Sequence, residues 1–85
     1  MSIHLKTVEN NIPDAISKAI CDALEGAVVQ VAGGGGHFTI EVVSSLFEGK
    51  NMLQSQRLVY SAIAHLMSGN DAPVHAVDSM VTKTP

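Results

Sequence analysis

The stretch from Gly33 to Tyr60, GGGGHFTIEVVSSLFEGKNMLQSQRLVY, decides the fold, because it contains a run of glycines, a strand, a sharp connection and the start of a helix. Between His37 and Val43 the apolar Phe38, Ile40 and Val42 alternate with His37, Thr39, Glu41 and Val43. That is the period of two of a sheet element with one apolar face. The connection Ser44 to Asn51 carries Gly49 in polar surroundings. Leu58, Val59, Ala62, Ile63, Leu66 and Met67 then follow at helical spacing.

Working outward from this stretch, Asn51 is placed to cap the helix, with Gln54 three residues on in a capping-box arrangement. Val59, Ala62, Ile63 and Leu66 should face the sheet, with Arg57, Ser61 and His65 toward solvent. Gly69 and Asn70 end the helix, and Asp71-Ala72-Pro73 forms a loop. Val74 to Val81, VHAVDSMV, reads as a third strand in which neither alternating set is clearly the core face.

On the other side, Ala27 to Ala32, AVVQVA, is a short β-branched strand. Before it, Ile12, Ile16, Ile20 and Leu24 with intervening alanines form an apolar helical stripe. Asn11 is its N-cap, Pro13 sits in its first turn, and Gly26 stops it. Residues 1–10 read as a frayed lead-in or an added helical turn. Short links between the second strand, its helix and the last strand imply a right-handed crossover and parallel pairing, whereas the first two strands should form an antiparallel hairpin. The expected fold is a single α+β domain over residues 1–85, an α-β-β-α-β sandwich with a three-stranded mixed sheet and both helices on one face.

Composition narrows the function classes. The net charge of −3 and five basic residues spread along 85 positions offer no general attraction for a polyphosphate backbone. Cys21 is the only cysteine, so an internal disulfide and an all-cysteine metal site are excluded within one chain. It falls on the polar side of the first helix beside Asp22 and Glu25, which disfavour a thiolate, and it reads as an inert surface thiol. No apolar run approaches the roughly 20 residues of a membrane span and no signal-peptide pattern is present, so a cytoplasmic location is expected.

Gly33 to Gly36 separates two strands and reads as a mobile hairpin loop in preference to a ligand cradle. A phosphate loop would require a helix after the glycines, and a GxxG nucleic-acid loop would require helices on both sides. Of the four histidines, His4 lies in the lead-in and His65 on a wet helix face. His37 leaves the glycine run at the start of a strand. His75 is a polar residue opening an otherwise apolar strand just after a loop, suited either to packing and hydrogen bonding or to ligation from a rigid support. No nucleophile–base–acid triad and no pair of histidines or cysteines at the spacing of a closed metal site is visible, so a complete catalytic centre is not expected. Any iron or zinc site would draw one or two ligands from this chain and the rest from elsewhere.

Taken together, HFTIEVVSSLFEGKNMLQSQRLVY at His37 to Tyr60, VHAV at Val74 to Val77 and TKTP at Thr82 to Pro85 resemble the BolA family. The ordered set of Phe47 and Gly49, then Arg57-Leu58-Val59-Tyr60, then His75 carries the resemblance. It implies a fold related to the second class of KH domains, and a non-enzymatic partner of a monothiol glutaredoxin that shares a bridging 2Fe–2S cluster with the glutaredoxin and glutathione. It further implies iron–sulfur trafficking or iron-responsive regulation, with the cluster not bound by the chain alone.

In the family the histidine matching His75 is a cluster ligand, and a cysteine or histidine of the first inter-strand loop can be a second. Here only His37, at the far end of the glycines, can take that role. Arg57, Gly34, Gly35 and Gly36 are the implied partner-binding residues. Where relatives often carry arginine and histidine, this chain has Ser55 and Gln56. Alone, the chain is expected to be a monomer or weak homodimer. The alternative reading is a nucleic-acid-binding transcriptional regulator built on the KH-like fold, with weak nucleic-acid binding. The charge balance weighs against it.

Overall fold

The computed structural model describes residues 11–85. Its elements are helix α1 (Ile12–Ala23), strands β1 (Val28–Gly34) and β2 (His37–Val43), a 3-10 turn (Ser45–Phe47), helix α2 (Met52–Met67) and strand β3 (Ala76–Lys83). The sheet order is β1-β2-β3, with β1 and β2 antiparallel and β2 and β3 parallel. Among the described residues the α-β-β-α-β order, the mixed sheet and the single helical layer match the sequence reading. The expectations for residues 1–10, including His4, lie outside the described residues.

Both helix starts are chemically specified. The Asn11 side-chain oxygen accepts from the Asp14 N–H, with Pro13 in the first turn. Asn51 and Gln54 form the reciprocal capping box: Gln54 N–H donates to Asn51 Oδ1 at 2.8 Å, and Asn51 N–H donates to Gln54 Oε1 at 3.0 Å. Two otherwise orphaned donors at the α2 start are thereby satisfied.

The core follows the two periodicities. Ile16, Ile20 and Leu24 of the α1 side meet Phe38, Ile40 and Val42 of β2 and Val59 and Ile63 of α2, all buried in one cluster. The opposite face of the sheet carries exposed positions such as Gln30, Thr39 and Val81, and no helix of the described residues covers it. Phe47, in the sharp connection after β2, is buried by the 3-10 turn, which Ser44 caps by accepting from the Leu46 N–H at 3.0 Å.

Two expectations are corrected. The hairpin is present, but the four glycines are not all loop: Gly33 and Gly34 belong to β1, paired with Phe38 and His37, and only Gly35 and Gly36 make the turn. With φ of +63° and +86° at these two positions, the connection is a two-residue hairpin turn of the kind that needs left-handed residues at both central sites. Gly33 must also be glycine, since a Cβ there would collide with the His37 carbonyl oxygen and stand 2.9 Å from the Phe38 Cα.

The third strand starts at Ala76 rather than Val74 and extends to Lys83. Val74 is tied to α2 instead, its N–H donating to the Leu66 carbonyl at 3.1 Å and its side chain 1% exposed. Within β3 the register shifts: Phe38 pairs with Val77 but Thr39 pairs with Ser79, leaving Asp78 as an extra residue. Without that bulge Ser79 would sit opposite Ile40 on the core face and Met80 opposite Glu41 on the open face. With it, Met80 pairs with Ile40 and packs on the core. The bulge is the reason neither alternating set of this strand looked like a core face.

Candidate functional site

The strongest side-chain chemistry gathers at one end of the sheet, where the glycine turn meets the loop before β3. His37 is the first residue of β2 and pairs with Ala76, the first residue of β3. His75 directly precedes Ala76, and its side chain is exposed to solvent. The carbonyl of Gly36 accepts two backbone hydrogen bonds, from His75 N–H at 2.8 Å and Ala76 N–H at 3.0 Å. One glycine of the turn therefore anchors the backbone of one histidine and is the chain neighbour of the other.

Gly36 also touches the His75 ring. A Cβ at Gly36 would lie 2.9 Å from Cγ and 3.1 Å from Cδ2 of that ring, so the imidazole rests on bare backbone. Val74, buried immediately before it, and the strand that begins immediately after it hold His75 from both sides. A shallow depression beside it is lined by Met67, Gly69, Asn70, Ala72 and Val74. The result is an exposed imidazole on an anchored backbone, the arrangement in which a ligand is preorganised yet reachable.

His37 is positioned differently. Its Nδ1 lies 3.2 Å from Oδ1 of Asp78, within hydrogen-bond distance, with the two side chains 59% and 56% exposed. Asp78 is the bulged residue of β3, and no motif or spacing in the sequence singled it out. The one trace it left is the broken alternation around it. An exposed pair of this kind adds little stability, but it orients a ring.

The two histidines and Gly34, Gly35 and Gly36 are thus brought to one end of the hairpin, whereas Arg57 is not. Arg57 is exposed in the second turn of α2, ten residues before the helix end that adjoins the loop leading to His75. At 1.5 Å per residue that is roughly 15 Å along the axis. Two of the remaining cations already have carboxylate partners: Lys18 with Asp22 at 2.8 Å and Lys83 with Glu41 at 3.5 Å. Cys21 is exposed, and its thiol donates to the Ala27 carbonyl at 3.7 Å.

Among the described residues no three His, Cys, Asp or Glu side chains come together as a metal site. The donors offered are two neutral-capable imidazoles, which suit iron but do not close a coordination shell. No helix of the described residues is long and apolar enough to cross a membrane.

Comparison with known proteins agrees with the geometry. A family profile described as BolA-like protein matches residues 14–85. The chain is 33% identical over 78 residues to the acid stress protein IbaG of Escherichia coli K12, a match covering 92% of this chain and 86% of that protein. It is 46% identical over 54 residues to mouse BolA-like protein 1, a match covering 64% of this chain and 36% of the mouse protein. The chain thus aligns with only about a third of the length of the mammalian relatives. Among solved structures, BolA1 from Arabidopsis thaliana superposes with a TM-score of 0.72 at 29% identity, covering 88% of this chain and 93% of that one. The names of these relatives are those of BolA-like and stress proteins rather than of enzymes.

Proposed function

The chain belongs to the BolA-like protein family, and from that premise we propose that it is the half-partner of a monothiol glutaredoxin, lending imidazole ligands to a 2Fe–2S cluster shared with the glutaredoxin and glutathione. The observation that supports this reading most is the exposed His75 ring seated on Gly36, at the same sheet end as His37. Two imidazoles on a fixed backbone fit a partial ligand set. The thiolates that such clusters prefer come from the partner.

In this role His75 is the principal ligand, His37 the second, and the side-chain-free stretch of Gly34, Gly35 and Gly36 leaves room for the partner to approach the two rings. The cluster, when bound, supplies one-electron redox chemistry, and an imidazole in place of a thiolate raises its potential. Arg57, lying apart from the histidines, serves the docking of the partner body rather than the ligand shell. The chain does no catalysis of its own; it works in the cytoplasm in iron–sulfur trafficking or iron-responsive regulation, and is a monomer or weak homodimer when alone.

The test is anaerobic reconstitution of ferrous iron and sulfide with this chain, a monothiol glutaredoxin and glutathione, followed by visible absorption and circular dichroism. A spectrum distinct from that of the glutaredoxin alone, and lost with His75→Ala, is expected. An unchanged spectrum and yield with His75→Ala would refute the ligand assignment.

A further inference from the structure

We propose that Asp78 is the positioning residue of His37: from its bulge in β3 it holds the Nδ1–H of that ring and so leaves Nε2 unprotonated and pointed away as the donor nitrogen. The inference deepens the functional reading above and rests on it for the identity of what Nε2 binds.

The argument begins with register. In an unbroken parallel ladder Asp78 would stand opposite Thr39, two residues along the strand from His37 and about 6.6 Å away along its axis. The shift between Phe38 and Thr39 makes Asp78 the unpaired residue instead, and its carboxylate reaches back to His37 at 3.2 Å. Bulges re-aim single side chains in this way. The same bulge also keeps Ser79 off the core face and puts Met80 on it. The core therefore fixes the bulge, and the bulge fixes the place of Asp78.

A carboxylate only accepts hydrogen bonds, so the contact selects the Nδ1–H tautomer of the neutral imidazole. Free imidazole side chains favour the opposite tautomer, with the proton on Nε2. The bond to Asp78 thus changes which nitrogen has a lone pair. A histidine that ligates through one nitrogen commonly gives its other N–H to a carboxylate, which fixes the ring and raises ligand basicity. Among the described residues His75 has no such hydrogen bond, and its ring is oriented by contact with Gly36 instead. The two rings of the site are therefore positioned by different means, one by a carboxylate and one by backbone.

The experiment reads the isolated chain first. Long-range proton–nitrogen correlation spectra at neutral pH and above should show His37 with its proton on Nδ1. In Asp78→Ala the proton should move predominantly to Nε2. In Asp78→Asn, whose amide oxygen still accepts, the Nδ1–H form should persist. Thermal midpoints of the three proteins should coincide, so that tautomer and not folding is what changed. A wild-type His37 already protonated on Nε2, or one unmoved by Asp78→Ala, overturns the proposal whatever the cluster experiment gives.

The second arm is the reconstitution with glutaredoxin, glutathione, iron and sulfide. Asp78→Ala should weaken formation of the mixed complex about tenfold, the low end of the effect of losing such a carboxylate partner. Asp78→Asn should retain it, and His37→Ala with Asp78→Ala should be no worse than His37→Ala alone. Additive losses in the double variant would overturn the positioning role. Failure of the wild-type chain to form any mixed complex would defeat the functional reading and with it the donor role of Nε2, while the tautomer measurement would still decide whether Asp78 orients the ring.

Discussion

Strand β2 has two ends that are built on opposite principles. At its far end Val43 runs into Ser44 and the 3-10 turn, where Ser44 and Phe47 are buried and a side-chain capping box starts α2. At its near end His37 emerges from the glycine turn, and what holds the chain is backbone: the ladder pairs of Gly33 and Gly34 and the two bonds to the Gly36 carbonyl. The far end uses its side chains to make structure. The near end makes structure with its main chain, which leaves two exposed imidazoles for binding and a carboxylate to orient one of them. A site can be exposed and still be rigid when the main chain, rather than the packing of its own side chains, supplies the rigidity.

The largest effect that would sharpen this contrast lies at the closed end. Phe47→Ala should cost about 3–5 kcal/mol of stability in urea denaturation, the usual range for removing a buried aromatic ring. It should leave the tautomer and ring environment of His37 and His75 as they are wherever the protein remains folded. A loss below about 1 kcal/mol would mean the 3-10 turn does not close the core.

Next in size is a pair of substitutions within the turn. Gly36→Ala forces a left-handed φ of +86° on a residue with a side chain and drives its Cβ into the His75 ring. Left-handed strain alone is worth about 1–3 kcal/mol. Gly35→Ala meets a φ of +63° but has no neighbour within 4 Å. Both variants should lose stability to a similar degree in denaturant titrations, but only Gly36→Ala should shift the His75 ring resonances and abolish the mixed-cluster spectrum. Equal effects on His75 from the two would break the claim that Gly36 seats that ring.

The smallest effect is expected from the ion pair on α1, which belongs to neither end. The hydrogen bond that Lys18 donates to Asp22, and then the carboxylate's charge, hold the fully exposed Lys18 ammonium above the ordinary lysine value of 10.5. A folded value above the unfolded one means that any stabilisation is present below the unfolded value and is lost as pH rises through the folded one. Asp22→Asn should therefore leave the denaturation midpoint at pH 7 essentially unchanged. Whatever difference exists should shrink at strongly alkaline pH, and a difference that grew there would contradict this.

Much of the fold was legible because its signals are local. The stripe of Ile12, Ile16 and Ile20, the alternation of Phe38, Ile40 and Val42, and the Asn51–Gln54 caps each depend on residues within a turn or two of one another. The hairpin was read with its turn too long, since four glycines in a row do not say which two will pair across to Phe38 and His37. The start of β3 was misplaced for a similar reason: Val74 is as apolar as a strand residue, but its N–H is claimed by Leu66, a partner on another element. For the site, His37 and His75 stood out as polar residues at strand starts. Asp78 did not, because its importance lies in a contact across 41 positions.

The sequence by itself determined the elements, their order and the two histidines, since periodicity, caps and isolated polar residues act through near neighbours in the chain. Only the tertiary structure decided that Gly36 would carry the His75 ring and that Asp78 would reach His37. Both depend on how β3 registers against β2: the pairing of His37 with Ala76 brings Gly36 to His75, and the core's acceptance of Met80 rather than Ser79 beside Ile40 makes Asp78 the bulged residue. Burial of an apolar side chain in place of a hydroxyl is a property of the packed layers, and no single strand contains it.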